Sequence, residues 1–83
     1  MTWNNKQNQL CATFKFKDFS TAFTFMTEVA MLSEKLNHHP NWSNSYNHVS
    51  FALSTHDESD IITEKDRILA SKIDDIVSKY KLL

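Results

Sequence analysis

The sequence predicts an α+β fold in which two helices pack on one face of a four-stranded antiparallel sheet, in the order β-β-α-β-β-α. Three observations predict it. Apolar and polar residues alternate along Leu10, Ala12, Phe14, Phe16 and again along Val49, Phe51, Leu53, the period of two expected of half-buried strands. The stretches after Asp18 and after Thr63 instead carry apolar residues three and four apart, the spacing of a helix that buries one stripe. The connections are short and polar, so strands that follow one another pair as hairpins and the helices fall on the side to which the apolar residues point.

In chain order, Trp3 to about Lys6 is expected to pair with Leu10 to Lys17, with Asn5-Lys6-Gln7-Asn8 supplying the polar turn between them. Asp18 is placed to cap the first helix, because its carboxylate can accept amide hydrogens of the first turn. The expected buried stripe of that helix is Phe19, Ala22, Phe23, Met26, Val29, Ala30 and Leu36; Phe25, Met31 and Leu32 fall off it and would face a second buried surface or a partner subunit. Pro40 cannot continue a helix and drives His39 toward extended backbone. Trp42 to Asn47 reads as a short extended segment, with Asn47-His48 as the turn into the strand through Val49, Phe51 and Leu53. Thr55-His56-Asp57 leaves that strand into the polar loop Glu58-Ser59-Asp60. Thr63 and Asp66 form a capping-box pair for the last helix. Its expected stripe is Leu69, Ile73, Ile76, Val77 and Tyr80.

The 83 residues are expected to form one domain over 1–83. A chain this short buries only ~60% of its unfolded surface, which favours oligomerisation. A formal net charge of -1 and no basic cluster argue against a nucleic-acid partner. One cysteine, Cys11, allows no internal disulfide and fits a reduced compartment. With no secretory pattern at the start and no apolar run of membrane-spanning length, the expected setting is soluble and cytoplasmic, with no membrane partner. Glycine is absent, so asparagine is expected to take the left-handed turn positions.

The chemistry gathers in Glu34-Lys35-Leu36-Asn37-His38-His39-Pro40-Asn41-Trp42. Histidine is the side chain whose ordinary pKa lets it give or take a proton near neutrality. Two of them at a helix exit are read equally as caps for the last carbonyls or as a site. Glu34 lies one helical turn before His38, and His56 stands at a strand end. Neighbours on extended backbone point to opposite sides, which disfavours joint chelation, and no metal site is assigned. His48 belongs to the expected turn, and Cys11 has no base near it in sequence. No serine elbow or glycine-rich phosphate loop is present. Two or three histidines, a carboxylate and an indole in one cleft suit proton transfer on a flat polar ring, with Trp42 and Pro40 as apolar contacts.

These residues also carry a resemblance. Glu34-Lys35-x-Asn37-His38-His39-Pro40-x-Trp42-x-Asn44-x-Tyr46-Asn47-x-Val49, then Leu53-x-Thr55-His56-Asp57, then Thr63-x-x-Asp66-x-x-Leu69-Ala70-x-x-Ile73-Asp74 resemble the pterin-4a-carbinolamine dehydratase family, as does Phe16-x-Asp18-Phe19-x-x-Ala22-x-x-Phe25-Met26-x-x-Val29-Ala30. The resemblance runs from about Trp3 to Tyr80. It implies dehydration of 4a-hydroxytetrahydropterin to quinonoid dihydropterin, in recycling of tetrahydropterin for aromatic amino acid hydroxylases, with no metal or redox cofactor. It places the family's active-site groups on His38, His39, His56 and Glu34, with Pro40, Trp42, Ser54, Thr55 and Asp57 as pterin contacts. His38 and His56 are the expected acid/base pair, and His39 is expected to bind and polarise the pterin.

The resemblance further implies the same α+β fold assembled as a homodimer or homotetramer. Three departures stand out: the N-terminal helix common in the family is apparently missing, the loop 58–62 has no glycine and one residue more than the commonest form, and Ser33 replaces alanine. The alternative function is a non-catalytic dimerisation or assembly module on the same fold.

Overall fold

The computed structural model describes residues 2–83. Its elements are β1 (Asn4–Lys6), β2 (Gln9–Lys15), α1 (Phe19–Leu36), β3 (Asn41–Ser45), β4 (His48–Leu53), a 3-10 turn over His56–Glu58, and α2 (Glu64–Val77). The four strands form one sheet in the order β1-β2-β4-β3 with every neighbouring pair antiparallel. The α+β architecture expected from the sequence is therefore the architecture observed.

Register decides which face becomes core. Leu10 stands opposite Leu53, Ala12 opposite Phe51 and Phe14 opposite Val49, so these six apolar residues of the two central strands project to the helical side. All six are buried. The opposite face carries Cys11, Thr13 and Lys15 beside Ala52, Ser50 and His48, and Thr13 and Ser50 share a hydroxyl hydrogen bond of 3.0 Å there.

α1 starts where Asp18 accepts the Thr21 amide at 2.8 Å. Its buried stripe is Ala22, Phe25, Val29 and Ser33, which corrects the expected one: Phe25 has no exposed surface, while Phe19 and Phe23 lie outside. Apolar residues occupy two adjacent stripes of this helix, and the sheet selects between them. Phe25 meets the rings of Phe14, Phe16, Phe51 and Tyr80, contacts that Phe23 does not make. Burying a side chain of this size stabilises by roughly 1.5–3 kcal/mol. Trp3 closes the same core against Phe14 and Phe51 and donates its indole hydrogen to Asp74 on α2.

The glycine-free turns use a wider set of residues than asparagine alone. Gln7, Asn8, Asn37, Tyr46, Ser59 and Asp60 all have positive φ, each at a cost of roughly 1–2 kcal/mol for a side chain with a Cβ, less for Asn and Asp. The β3–β4 turn is Tyr46-Asn47, one residue earlier than expected, and His48 begins β4. The shift has a cause in Asn47: its side chain donates to the Phe16 carbonyl and its own carbonyl accepts the Phe16 amide, which fastens the turn to the end of β2.

Candidate active site

The end of α1 sets the first histidine. Asn37 takes the left-handed conformation and its amide bonds to the Glu34 carbonyl, while the His38 amide reaches back to the Ser33 carbonyl. That pair of bonds is a Schellman ending, which satisfies the last helix carbonyls through backbone and leaves both imidazoles free of capping duty. Pro40 follows two residues later and the chain enters β3.

His38 and His39 then diverge. The His38 side chain is only 14% exposed, and its Nε2 lies 2.6 Å from Oδ1 of Asp66, a carboxylate with no exposed surface. A carboxylate can only accept, so Nε2 carries the hydrogen and Nδ1 is the ring's open nitrogen. Asp66 is held in turn by the start of α2: its Oδ2 accepts the Thr63 amide at 2.9 Å and the Thr55 hydroxyl at 2.8 Å. The Thr63 hydroxyl sits 2.6 Å from that of Thr55 and accepts the Lys65 amide. The donors therefore run in one direction, Lys65 amide to Thr63 to Thr55 to Asp66, and among the described residues no buried side-chain nitrogen or oxygen lacks a partner.

His39 turns outward. Its Nε2 lies 2.8 Å from Oε1 of Glu34, with both side chains more than half exposed. His56 opens the 3-10 turn, and its Nδ1 lies 3.1 Å from Oδ1 of Asp60, also in the open. Each of the three imidazoles thus has one nitrogen on its own carboxylate, and where that carboxylate is buried, at His38, the pair fixes ring orientation and tautomer. Two of those carboxylates, Asp66 and Asp60, were not among the site residues expected from sequence. Asp66 was visible there as the third residue of the capping box, but one of its oxygens turns to His38 only because the first turn of α2 stands against the end of α1, which is tertiary information.

Asn37, His38, His39, Ser54, Thr55, His56, Asp57 and Lys65 line a cleft of about 230 Å³. It gathers all three histidines with Ser54 and Asp57. Thr55 is buried, with its hydroxyl spent on Asp66. The remaining expected residues face elsewhere: Glu34, Pro40 and Trp42 line a separate, largely apolar groove of about 350 Å³ with Ala30, Met31 and Ser33, and His39 borders both openings. The indole and the three imidazoles were expected in one cleft. Trp42 pairs with Phe51 across β3–β4 and so projects toward α1, its ring 5.7 Å from that of Phe51. No group of three or more His, Cys, Asp or Glu among the described residues is arranged to hold a metal ion.

Comparisons with known proteins bear on the family and the fold. The family model for pterin 4 alpha carbinolamine dehydratase matches residues 1–76. A Rhizobium meliloti relative named "Putative pterin-4-alpha-carbinolamine dehydratase" is 60% identical over 62 residues, 75% of this chain and 59% of the relative's own length. A Synechococcus protein of the same name is 50% identical over 72 residues, 87% of this chain and 76% of its own. Among solved structures, a Brucella melitensis protein described as a transcriptional coactivator/pterin dehydratase superposes with a TM-score of 0.86 at 45% identity, covering 90% of this chain and 81% of that one. A pterin dehydratase-like protein described as a RuBisCO assembly factor in the alpha-carboxysome shares the fold, with a TM-score of 0.78 at 23% identity over 92% of this chain and 89% of its own. On the match over 76 of its residues and on these relatives, the chain belongs to the pterin 4 alpha carbinolamine dehydratase family.

Proposed function

We propose that this protein dehydrates a 4a-hydroxytetrahydropterin to the quinonoid dihydropterin, with His38 and His56 as the acid/base pair and His39 binding the pterin. The observation that carries the reading is the cleft lined by three imidazoles, each with one nitrogen within hydrogen-bond distance of a carboxylate. In the reaction a proton passes to the 4a hydroxyl and the C4a–O bond breaks with its electron pair leaving as water. N5 loses its hydrogen and its electron pair forms the C4a–N5 double bond. One proton is given and one is taken, so the net charge is unchanged, while the acid and base histidines end with their protonation states exchanged and reset by proton transfer through solvent. Asp66 acts through His38, holding the ring so that Nδ1 is the nitrogen available for transfer. Ser54 and Asp57 offer polar contacts to the pterin. Pro40 and Trp42 serve a ring edge that reaches past His39 into the neighbouring groove.

The product would return to aromatic amino acid hydroxylases, so a coupled hydroxylase assay is the direct test. Purified protein should accelerate quinonoid dihydropterin formation, and no acceleration removes the reading.

A non-catalytic assembly module is the second reading, favoured by the outer stripe of α1. Phe19 and Phe23 are about half exposed with ring centroids 5.7 Å apart, and Met31 is exposed on the same helix. The same stripe supports a homodimer or homotetramer under either reading. Pterin titration separates the two, because a module without turnover has no saturable, histidine-dependent pterin site. Among the described residues no helix is long and apolar enough to cross a membrane.

A further inference from the structure

We propose that the groove between the end of α1 and the first turns of α2 takes the substituent on pterin carbon 6, with Lys65 as the specificity-determining contact to oxygen atoms on that substituent. The inference rests on the dehydratase reading and extends it from the reacting ring to the part of the substrate that distinguishes one pterin from another.

Leu36, Asn37, His38, Lys65 and Ile68 line this groove, of about 280 Å³. Three of them, Asn37, His38 and Lys65, also line the histidine cleft, so the two openings adjoin one another along these shared residues. Carbon 6 is bonded to N5, the atom that loses its hydrogen. A pterin placed with N5 against His38 or His56 therefore sends its carbon 6 substituent away from the ring beside those histidines. The cleft is the smaller of the two openings, and a bicyclic ring seated there, with its far edge past His39, leaves the substituent to the space beyond His38.

The chemistry of the two openings differs. The cleft contains a carboxylate, Asp57, together with Ser54 and three imidazoles, as suits a ring with both donors and acceptors. The groove contains no carboxylate: its walls are Leu36 and Ile68, and its only cation is Lys65. Apolar walls with one ammonium at the mouth match an aliphatic stem that carries oxygen acceptors, whether hydroxyls or phosphate, and disfavour a cationic chain. Lys65 is built for such a contact. Its amide is tied to Thr63 in the capping box, which fixes where the side chain starts, and its ammonium enters none of the ion pairs among the described residues.

The test is equilibrium binding of three 7,8-dihydropterins to the intact chain: one without a carbon 6 substituent, one with a hydroxylated alkyl chain, and one with the phosphate ester of that chain. The readout is the ratio of each substituted ligand's Kd to that of the bare ring, which cancels anything a substitution does to the ring's own site. The native chain should favour the phosphate ester over the bare ring by about two- to fivefold, the upper part of the range for an exposed ammonium on an anion. The hydroxylated ligand should fall between them. Lys65→Met should bring the phosphate ratio to about one, and Ile68→Glu should invert it. If the bare ring binds and the ratios do not change in either variant, the groove assignment is wrong while the dehydratase reading stands. If no pterin binds, both fail together.

Discussion

His38 and His39 are adjacent in sequence, identical in type and each 2.6–2.8 Å from a carboxylate, yet they belong to different physical settings. His38 points inward onto Asp66, which accepts three hydrogen bonds and sees no solvent. His39 points outward onto Glu34, and water competes for every bond in that pair. A buried carboxylate cannot be re-solvated when its partners are removed, so its network resists change, whereas an exposed ion pair contributes little beyond what water already offers. The difference teaches that the paired histidines are two devices, one a held ring and the other an adjustable contact.

The largest expected effect tests the held ring. Asp66→Ala strands the Thr63 amide and the Thr55 hydroxyl and should cost about 3 kcal/mol, lowering Tm by about 12 °C or more for a chain this small. Glu34→Ala should stay within about 0.5 kcal/mol of the native protein. Equal losses, measured by thermal unfolding, would mean that the two carboxylates are not distinguished by burial as described.

Activity should separate the rings next. His38→Ala should lower kcat by about 10²-fold or more, the scale of a lost general acid or base. His39→Ala should act mainly on KM, as the loss of a group that binds substrate and transition state alike. A kcat loss at His39 as large as at His38 would make the outward ring a proton-transfer group and overturn the division.

How far this contrast was legible depends on which physics each residue obeys. The existence and order of the strands, the caps at Asp18 and Thr63 and the helix stop before Pro40 follow from local periodicity and backbone chemistry and stand as the sequence predicted, although β2 ends at Lys15 and not Lys17 and β3 runs over Asn41–Ser45 and not from Trp42 to Asn47. The stripe of α1 was misread because both Phe23 and Phe25 fit a helical period, and only the aromatic cluster of the sheet chooses between them. The β3–β4 turn moved by one residue because Asn47 bonds to Phe16, 31 positions away. In the candidate site, the three histidines could be named in advance, but Asp66 as the partner of His38 could not, since α2 reaches it from 28 residues away. Trp42 showed the same limit in reverse: its nearness in sequence to His39 did not place it in the histidine cleft.

A third carboxylate of intermediate exposure sharpens the comparison. Glu28 on α1 accepts hydrogen bonds from Lys79 and from the Tyr80 hydroxyl, and these, with Lys79 first, hold its carboxyl below the usual carboxylate range. Burial, then the hydrogen bond to Glu28 and last the Glu28 charge push the Tyr80 phenol up to about 12. A lowered acid contributes stability that is present above its ordinary pKa and lost as pH falls through the lowered value; Asp18, lowered by the Thr21 bond, behaves alike. A raised phenol works in the other direction: its contribution is whole below pH ~10 and is lost as pH rises toward 12. Stability should therefore fall at both ends of the pH scale. Tyr80→Phe should cost about 1 kcal/mol at neutral pH and remove the decline above pH ~10. An unchanged alkaline limb in denaturant titrations would show that Tyr80 is not its source.

The smallest expected effect bears most directly on the outward pair. Glu34→Gln keeps the length of the side chain and an oxygen that can still accept from His39 Nε2, while removing the charge. If Glu34 only orients the ring, stability and KM should both stay close to native, with stability inside about 0.5 kcal/mol. If its charge matters to the bound pterin, KM should rise while Tm does not move, because an exposed carboxylate has little folding energy to lose. Thermal unfolding and kinetics on the same preparation distinguish these outcomes. A Tm loss approaching that of Asp66→Ala would mean that Glu34 is buried in the working assembly, with the groove of Ala30, Met31 and Trp42 closed over it by a second copy of the chain.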